Sequence, residues 1–126
     1  MMARILVVED NLDLRDFLTI LLQLSNFEVQ GVSSGVEVFT KLIIFKPDVI
    51  LLDVLLGRDN GRDICKEIKE KYKDVAVILL SANPKLLMDY DECNADDVIE
   101  KPFNNQDILD KIKKHLNLMT YYKKAL

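Results

Sequence analysis

Val49-Ile50-Leu51-Leu52-Asp53-Val54-Leu55-Leu56 is an apolar run broken once, by a carboxylate. Its first four residues are of strand length and apolar on both alternating faces, as a strand covered on each side by helices must be. Ile5-Leu6-Val7-Val8 and residues 75–80 read the same way, so three interior strands are predicted. Phe27-Glu28-Val29-Gln30, within residues 27–32, alternates, and a fifth segment at Val98-Ile99 is very short; both suit the edges of a sheet. Helical periodicity fills the gaps, through Leu14, Phe17, Leu18, Leu21 and Leu22, then Val36, Phe39, Leu42 and Ile43. Ile64, Ile68 and Tyr72 mark a third helix, and Ile108, Leu109, Ile112, Leu116 and Met119 the last. Alternating strands and helices imply parallel crossovers. The fold class is therefore α/β, a doubly wound five-stranded parallel sheet in the order 2-1-3-4-5, whose ligand crevice opens beyond the C-terminal ends of strands one and three.

Helix-start chemistry sits where this reading needs it: Asn11, Ser34 and Asn104 or Asn105 precede helices and offer side-chain oxygens to free backbone N–H groups. Pro47 ends the second helix. Lys111, Lys113 and Lys114 are expected toward the C-terminal end of the last helix, opposing its dipole. The 126 residues, 49% hydrophobic and 30% charged, suit one domain spanning 1–126. Seventeen basic against 21 acidic residues give a net charge of −4, which argues against a nucleic-acid or anionic-membrane surface. No apolar run approaches the ~18 residues of a membrane span. The N-terminus lacks the features of a secretory signal, so a cytoplasmic protein is expected. Cys65 and Cys93 are too few for a disulfide framework and wrongly spaced for zinc; both are expected to be reduced and Cys65 buried.

Glu9 and Asp10 follow the first strand, Asp53 the third, Ser81 the fourth and Lys101 the fifth, so their side chains should converge on one crevice. Each alone has a plain structural explanation as a cap or turn residue; together they are more telling, because a carboxylate inside an apolar run is costly unless compensated. Two carboxylates about 4 Å apart repel by roughly 4 kcal/mol at an effective dielectric of 20, and Lys101 offsets only part of that. An oxygen-seeking divalent ion is the natural remainder, and Mg²⁺ fits because it takes one or two carboxylates and completes its shell with waters and phosphate oxygen. Asp53 is then placed to attack phosphorus, with Lys101 and the Ser81 hydroxyl on the developing charge, giving an aspartyl phosphate.

Ile5-Leu6-Val7-Val8-Glu9-Asp10-Asn11, Pro47-Asp48-Val49-Ile50-Leu51-Leu52-Asp53, Ser81-Ala82 and Lys101-Pro102-Phe103 together resemble the response-regulator receiver domain of two-component signalling. The resemblance implies a flavodoxin-like (βα)5 fold, a single-domain signalling module rather than an enzyme, and phosphoryl transfer from a sensor histidine kinase or phosphotransfer protein. It implies Asp53 as phosphoacceptor and Asp10 as direct Mg²⁺ ligand. Glu9 would act mainly through metal-bound water, the Leu55 carbonyl as a further ligand, and Ser81 and Lys101 as the phosphoryl-contacting pair. Ala95-Asp96-Asp97 and Gly61 also fit the pattern.

Three positions depart from it. Val98 stands where the family usually carries an aromatic switch residue and cannot reproduce its rotation. The spacing from Ser81 to Lys101 is about two residues short, so a helix around residues 84–92 should be short or irregular. Gly57 replaces a frequent proline, which should leave its loop less restrained. Relay is therefore expected mainly through Ser81 and residues 82–85.

Among alternatives, a haloacid-dehalogenase-type phosphohydrolase would need a second Asp where Leu55 stands, and a dinucleotide or flavin carrier lacks its Gly-rich fingerprint. A phosphate-independent interaction domain is the remaining alternative. His115 is read as a partly exposed helix residue, not a phosphotransfer histidine. Met119, Tyr121, Tyr122 and Leu126 offer a surface for weak homodimerisation through the last helix, or else pack back on the domain. A downstream protein, not nucleic acid, is the expected target.

Overall fold

The computed structural model describes residues 2–125, with side chains through residue 120. Five parallel strands form one sheet: β1 (Arg4–Val8), β2 (Glu28–Val32), β3 (Val49–Asp53), β4 (Ala76–Ser81) and β5 (Asp97–Glu100), in the order β2-β1-β3-β4-β5. The helices are α1 (Leu12–Leu24), α2 (Gly35–Ile44), α3 (Gly61–Lys71) and α4 (Asn105–Ala125). A small antiparallel pair, Leu55–Leu56 with Asp59–Asn60, lies between β3 and α3. The expected fold class and strand order are those observed.

The sequence pattern sorts the core into two layers. Ile5, Val7, Leu51, Ile78 and Leu80 meet Leu18 and Leu22 of α1 and Ile108 and Ile112 of α4 on one face. Leu6, Val8, Ile50, Leu52 and Leu79 meet Val38 and Leu42 of α2 and Ile64, Cys65 and Ile68 of α3 on the other. Every residue of β3 and β4 is buried, which explains their unbroken apolar character. Edge strand β2 exposes Glu28 and Gly31 and buries Val29 and Val32.

Asn11 caps α1 through Leu14 N–H at 3.0 Å, and Asn104 caps α4 through Asp107 N–H at 2.8 Å. Ser34 precedes α2 but makes no backbone cap; its hydroxyl donates to Glu37 Oε1 instead. The Asp59 carboxylate replaces it, accepting Gly35 N–H at 3.1 Å from another element. Between β4 and β5 the chain makes two 3₁₀ turns, Pro84–Leu86 and Tyr90–Cys93, in place of a helix, as the short spacing predicted.

Three expectations need correction. α4 continues to Ala125, so Lys111, Lys113 and Lys114 lie in its first half and do not oppose its C-terminal dipole. His115 is buried, because Ile108, Ile112 and His115 share the inward stripe of α4. Gly57 is tied down, as described below. Met119 packs against the core, whereas Tyr121, Tyr122 and Leu126 lie outside the described side chains.

Candidate functional site

β1 delivers Glu9 and Asp10 at its C-terminal end, and β3 and β4 end on Asp53 and Ser81 themselves. The parallel register aligns these ends, pairing Val8 with Leu52 and Asp53 with Leu80. One carboxylate oxygen from each of Glu9, Asp10 and Asp53 lies within 4.8 Å of the others. Lys101, which follows β5, bridges two of them: its Nζ is 3.0 Å from Asp53 Oδ2 and 3.2 Å from Glu9 Oε2. Glu9, Asp53 and Ser81 are buried and Asp10 is exposed, so the cluster opens outward through Asp10.

Three carboxylates meet beside one ammonium that contacts two of them, and the imbalance falls on Glu9. Burial, then the hydrogen bond and charge of neighbouring Asp53, push its pKa up to about 7 against the opposing pull of Lys101. Burial alone would lower the Lys101 pKa, but hydrogen bonds and charges from Asp53 and Glu9 raise it. The ammonium is therefore fixed, and the shortage of positive charge is real. An all-oxygen donor set with unmet negative charge fits a hard divalent cation such as Mg²⁺. Glu9 is further held by Asn11 N–H on Oε1 at 3.3 Å, and Arg15 Nη1 clamps the Glu9 carbonyl at 2.8 Å.

The loop after β3 is bound to this cluster at several points. Leu55 N–H donates to Asp53 Oδ1 at 3.1 Å. Gly57 N–H donates to Asp10 Oδ2 at 3.1 Å, with Gly57 in the left-handed region at φ 57°. Asp59 reaches α2, as noted. Gly61 N–H donates to the Val54 carbonyl at 2.7 Å, and a Cβ at Gly61 would stand 2.2 Å from the Asp53 carbonyl oxygen. Glycine at 61 is thus a requirement of close backbone approach. The contacts of Gly57 and Asp59 were not read from the sequence.

Residues 5–113 match the family described as "Response regulator receiver domain". This chain belongs to that family. A transcriptional regulatory protein CpxR homolog from Haemophilus influenzae is 36% identical over 118 residues, covering 89% of this chain and 49% of that protein. The DNA-binding response regulator MtrA of Mycolicibacterium paratuberculosis is 31% identical over 119 residues, 92% of this chain and 52% of that one. The BeF3-activated DrrB receiver domain superposes with a TM-score of 0.83 at 30% identity, covering 93% of this chain and 99% of that one. The chain spans about half the length of the curated relatives it matches. Receiver domains are signalling modules of two-component response regulators, with phosphoacceptance a general role of the family.

In this receiver domain the other expected positions lie as follows. The Ser81 hydroxyl is buried and accepts Asn83 N–H at 3.1 Å. Leu55 is half of a two-residue strand with its side chain exposed. Val98 is partly buried against the α2–α3 layer, and its carbonyl accepts a hydrogen bond from Lys111 Nζ. Its neighbour Asp97 collects a second charged group: His115 Nε2 lies 2.9 Å away, Lys111 Nζ 3.4 Å and Lys114 Nζ 3.7 Å. No helix among the described residues is long and apolar enough to cross a membrane.

Proposed function

We propose that Asp53 is the phosphoacceptor of a two-component phosphorelay, in a receiver unit comprising residues 1–126 and working in the cytoplasm. The observation that carries this is the Glu9, Asp10 and Asp53 cluster with Lys101 bridging Asp53 and Glu9. A carboxylate oxygen of Asp53 attacks the phosphorus of a phosphohistidine on a sensor kinase or phosphotransfer protein. The new O–P bond forms as the P–N bond breaks, and the imidazole leaves with the electron pair and takes up a proton. Lys101 offsets charge on the transferred phosphoryl oxygens, and the Ser81 hydroxyl turns from accepting Asn83 N–H to donating to one of them. Glu9, Asp10, Asp53 and the Leu55 carbonyl would hold Mg²⁺, which would supply the positive charge that the cluster lacks.

The aspartyl phosphate brings about −1.5 to −2 of charge and three acceptor oxygens, which draw Ser81 and Lys101 inward. Because Val98 offers no aromatic rotation, relay runs through Ser81 and residues 82–85 and shifts affinity for a downstream protein. A coupling of ~1–3 kcal/mol is enough for a 5- to 150-fold change. Incubation with Mg²⁺ and acetyl phosphate, read by intact mass, should show one labile phosphate that Asp53→Asn does not acquire. No adduct from any donor, a cognate kinase included, would leave a phosphate-independent interaction domain; rapid turnover of a phosphomonoester would make the protein an enzyme.

A further inference from the structure

The segment between β4 and β5 is made of 3₁₀ turns, which leave more carbonyls without partners than a helix would. Arg62 supplies the missing donors from outside. Its Nη1 donates to the Met88 carbonyl at 2.8 Å and the Leu86 carbonyl at 3.3 Å, and its Nη2 to the Asp89 carbonyl at 2.9 Å. Glu92 Oε2 lies 3.8 Å from Nη2. Asp89 and Asn94, on either side of the second turn, adopt left-handed φ values of 52° and 63°. The left-handed region is sparsely populated by residues with a side chain, Asp and Asn tolerating it best, and the Arg62 bonds help to hold the segment in this shape.

The position of Arg62 gives that hold a second meaning. It is the second residue of α3, directly after Gly61, whose N–H binds the Val54 carbonyl and whose missing side chain lets α3 start against Asp53. The Arg62 N–H itself is fixed by Asn60 Oδ1 at 2.8 Å. One peptide step therefore separates backbone locked to the acidic site from a side chain locked to residues 86–89. The near end of the segment has a different tether, through Ser81 Oγ to Asn83 N–H and Asn83 Oδ1 to Lys85 N–H.

We propose that Arg62 is a positioning residue that couples the Asp53–Val54 backbone to residues 86–94 through the first turn of α3, a route separate from Ser81. The phosphorylation signal it would carry rests on the Asp53 reading; the mechanical coupling is a property of the unmodified chain. Close packing at Gly61 transmits displacement, and the segment held by the Arg62 side chain receives it.

Hydrogen exchange of the full chain tests both parts, with phosphate occupancy read by intact mass on the same samples. Without metal or phosphodonor, Arg62→Gln should raise exchange about tenfold across residues 86–94 and measurably at residues 54–61, with Arg62→Lys intermediate. A change confined to residues 86–94 would reduce Arg62 to a local brace and overturn the coupling. With Mg²⁺ and acetyl phosphate, the wild type should show a phosphate-dependent change at residues 86–94 that Arg62→Gln, at equal occupancy, does not. Persistence of that change in Arg62→Gln overturns the proposal. If wild type takes up no phosphate, the Asp53 reading fails, and the metal-free arm still decides the coupling.

Discussion

Two of the charged clusters on this sheet are compensated in opposite senses. At the ends of β1 and β3, Glu9 and Asp53 share Lys101, with Asp10 beside them. On β5, Asp97 alone faces His115, Lys111 and Lys114 from α4. Burial opposes ionisation in both places, but hydrogen bonds from His115 and Val98 N–H and the charge of Lys111 hold the Asp97 pKa below its usual 3.8. Glu9, pressed against another carboxylate, rises to about 7. Lys111, Lys114 and the His115 hydrogen bond compensate Asp97 and fasten a strand to a helix; the Glu9, Asp10 and Asp53 group is left short of positive charge.

Removing the shared carboxylate should have opposite effects in the two places. Asp97→Ala leaves His115 and Lys111 without their acceptor and should cost about 2–3 kcal/mol in denaturant unfolding. A loss below about 0.5 kcal/mol would show that the group is decorative. The next effect is in pH. Glu9 holds its proton more tightly folded than unfolded, so its contribution to metal-free stability is complete below pH 4.5 and is lost as pH rises through 7. The loss should be on the order of 2 kcal/mol and absent in Glu9→Gln. Asp97 has the reverse sign: its contribution is present above 3.8 and fades as pH falls below that.

Asp53→Asn should raise metal-free stability by about 1 kcal/mol, because it removes repulsion that Lys101 only half answers. A lower melting temperature for this variant would place Asp53 with Asp97 as a structural carboxylate. The smallest change is Gly57→Ala. No atom stands within 4 Å of the added methyl, so its cost, about 1 kcal/mol or less, is that of a left-handed alanine. It should also tighten Mg²⁺ binding slightly by loosening the Gly57 N–H from Asp10, which calorimetry would register.

The contrast also explains what could be read from the chain. The strands were legible because burial on both faces removes polar residues, and Asp53 was legible as the one charged side chain in β3 and β4. The irregular segment after Ser81 was expected, as a short or irregular helix, from a Ser81-to-Lys101 spacing about two residues below the family's usual one. His115 was misread because a polar residue among lysines suggests exposure, yet its spacing from Ile108 and Ile112 put it inside. Arg62, Gly57 and Asp59 act on partners many residues away through carbonyls and N–H groups. Backbone partners carry no residue-type signature, so only the folded chain shows those contacts.

The central claim is that under-compensation makes the edge at β1 and β3 a cation site. Mn²⁺ titration followed by paramagnetic broadening of backbone amides tests it most directly. Broadening should appear first at residues 9–11 and 53–57, be displaced by excess Mg²⁺, and spare residues 97 and 115. Signals that stay sharp at millimolar Mn²⁺, or that broaden equally around Asp97, would contradict it.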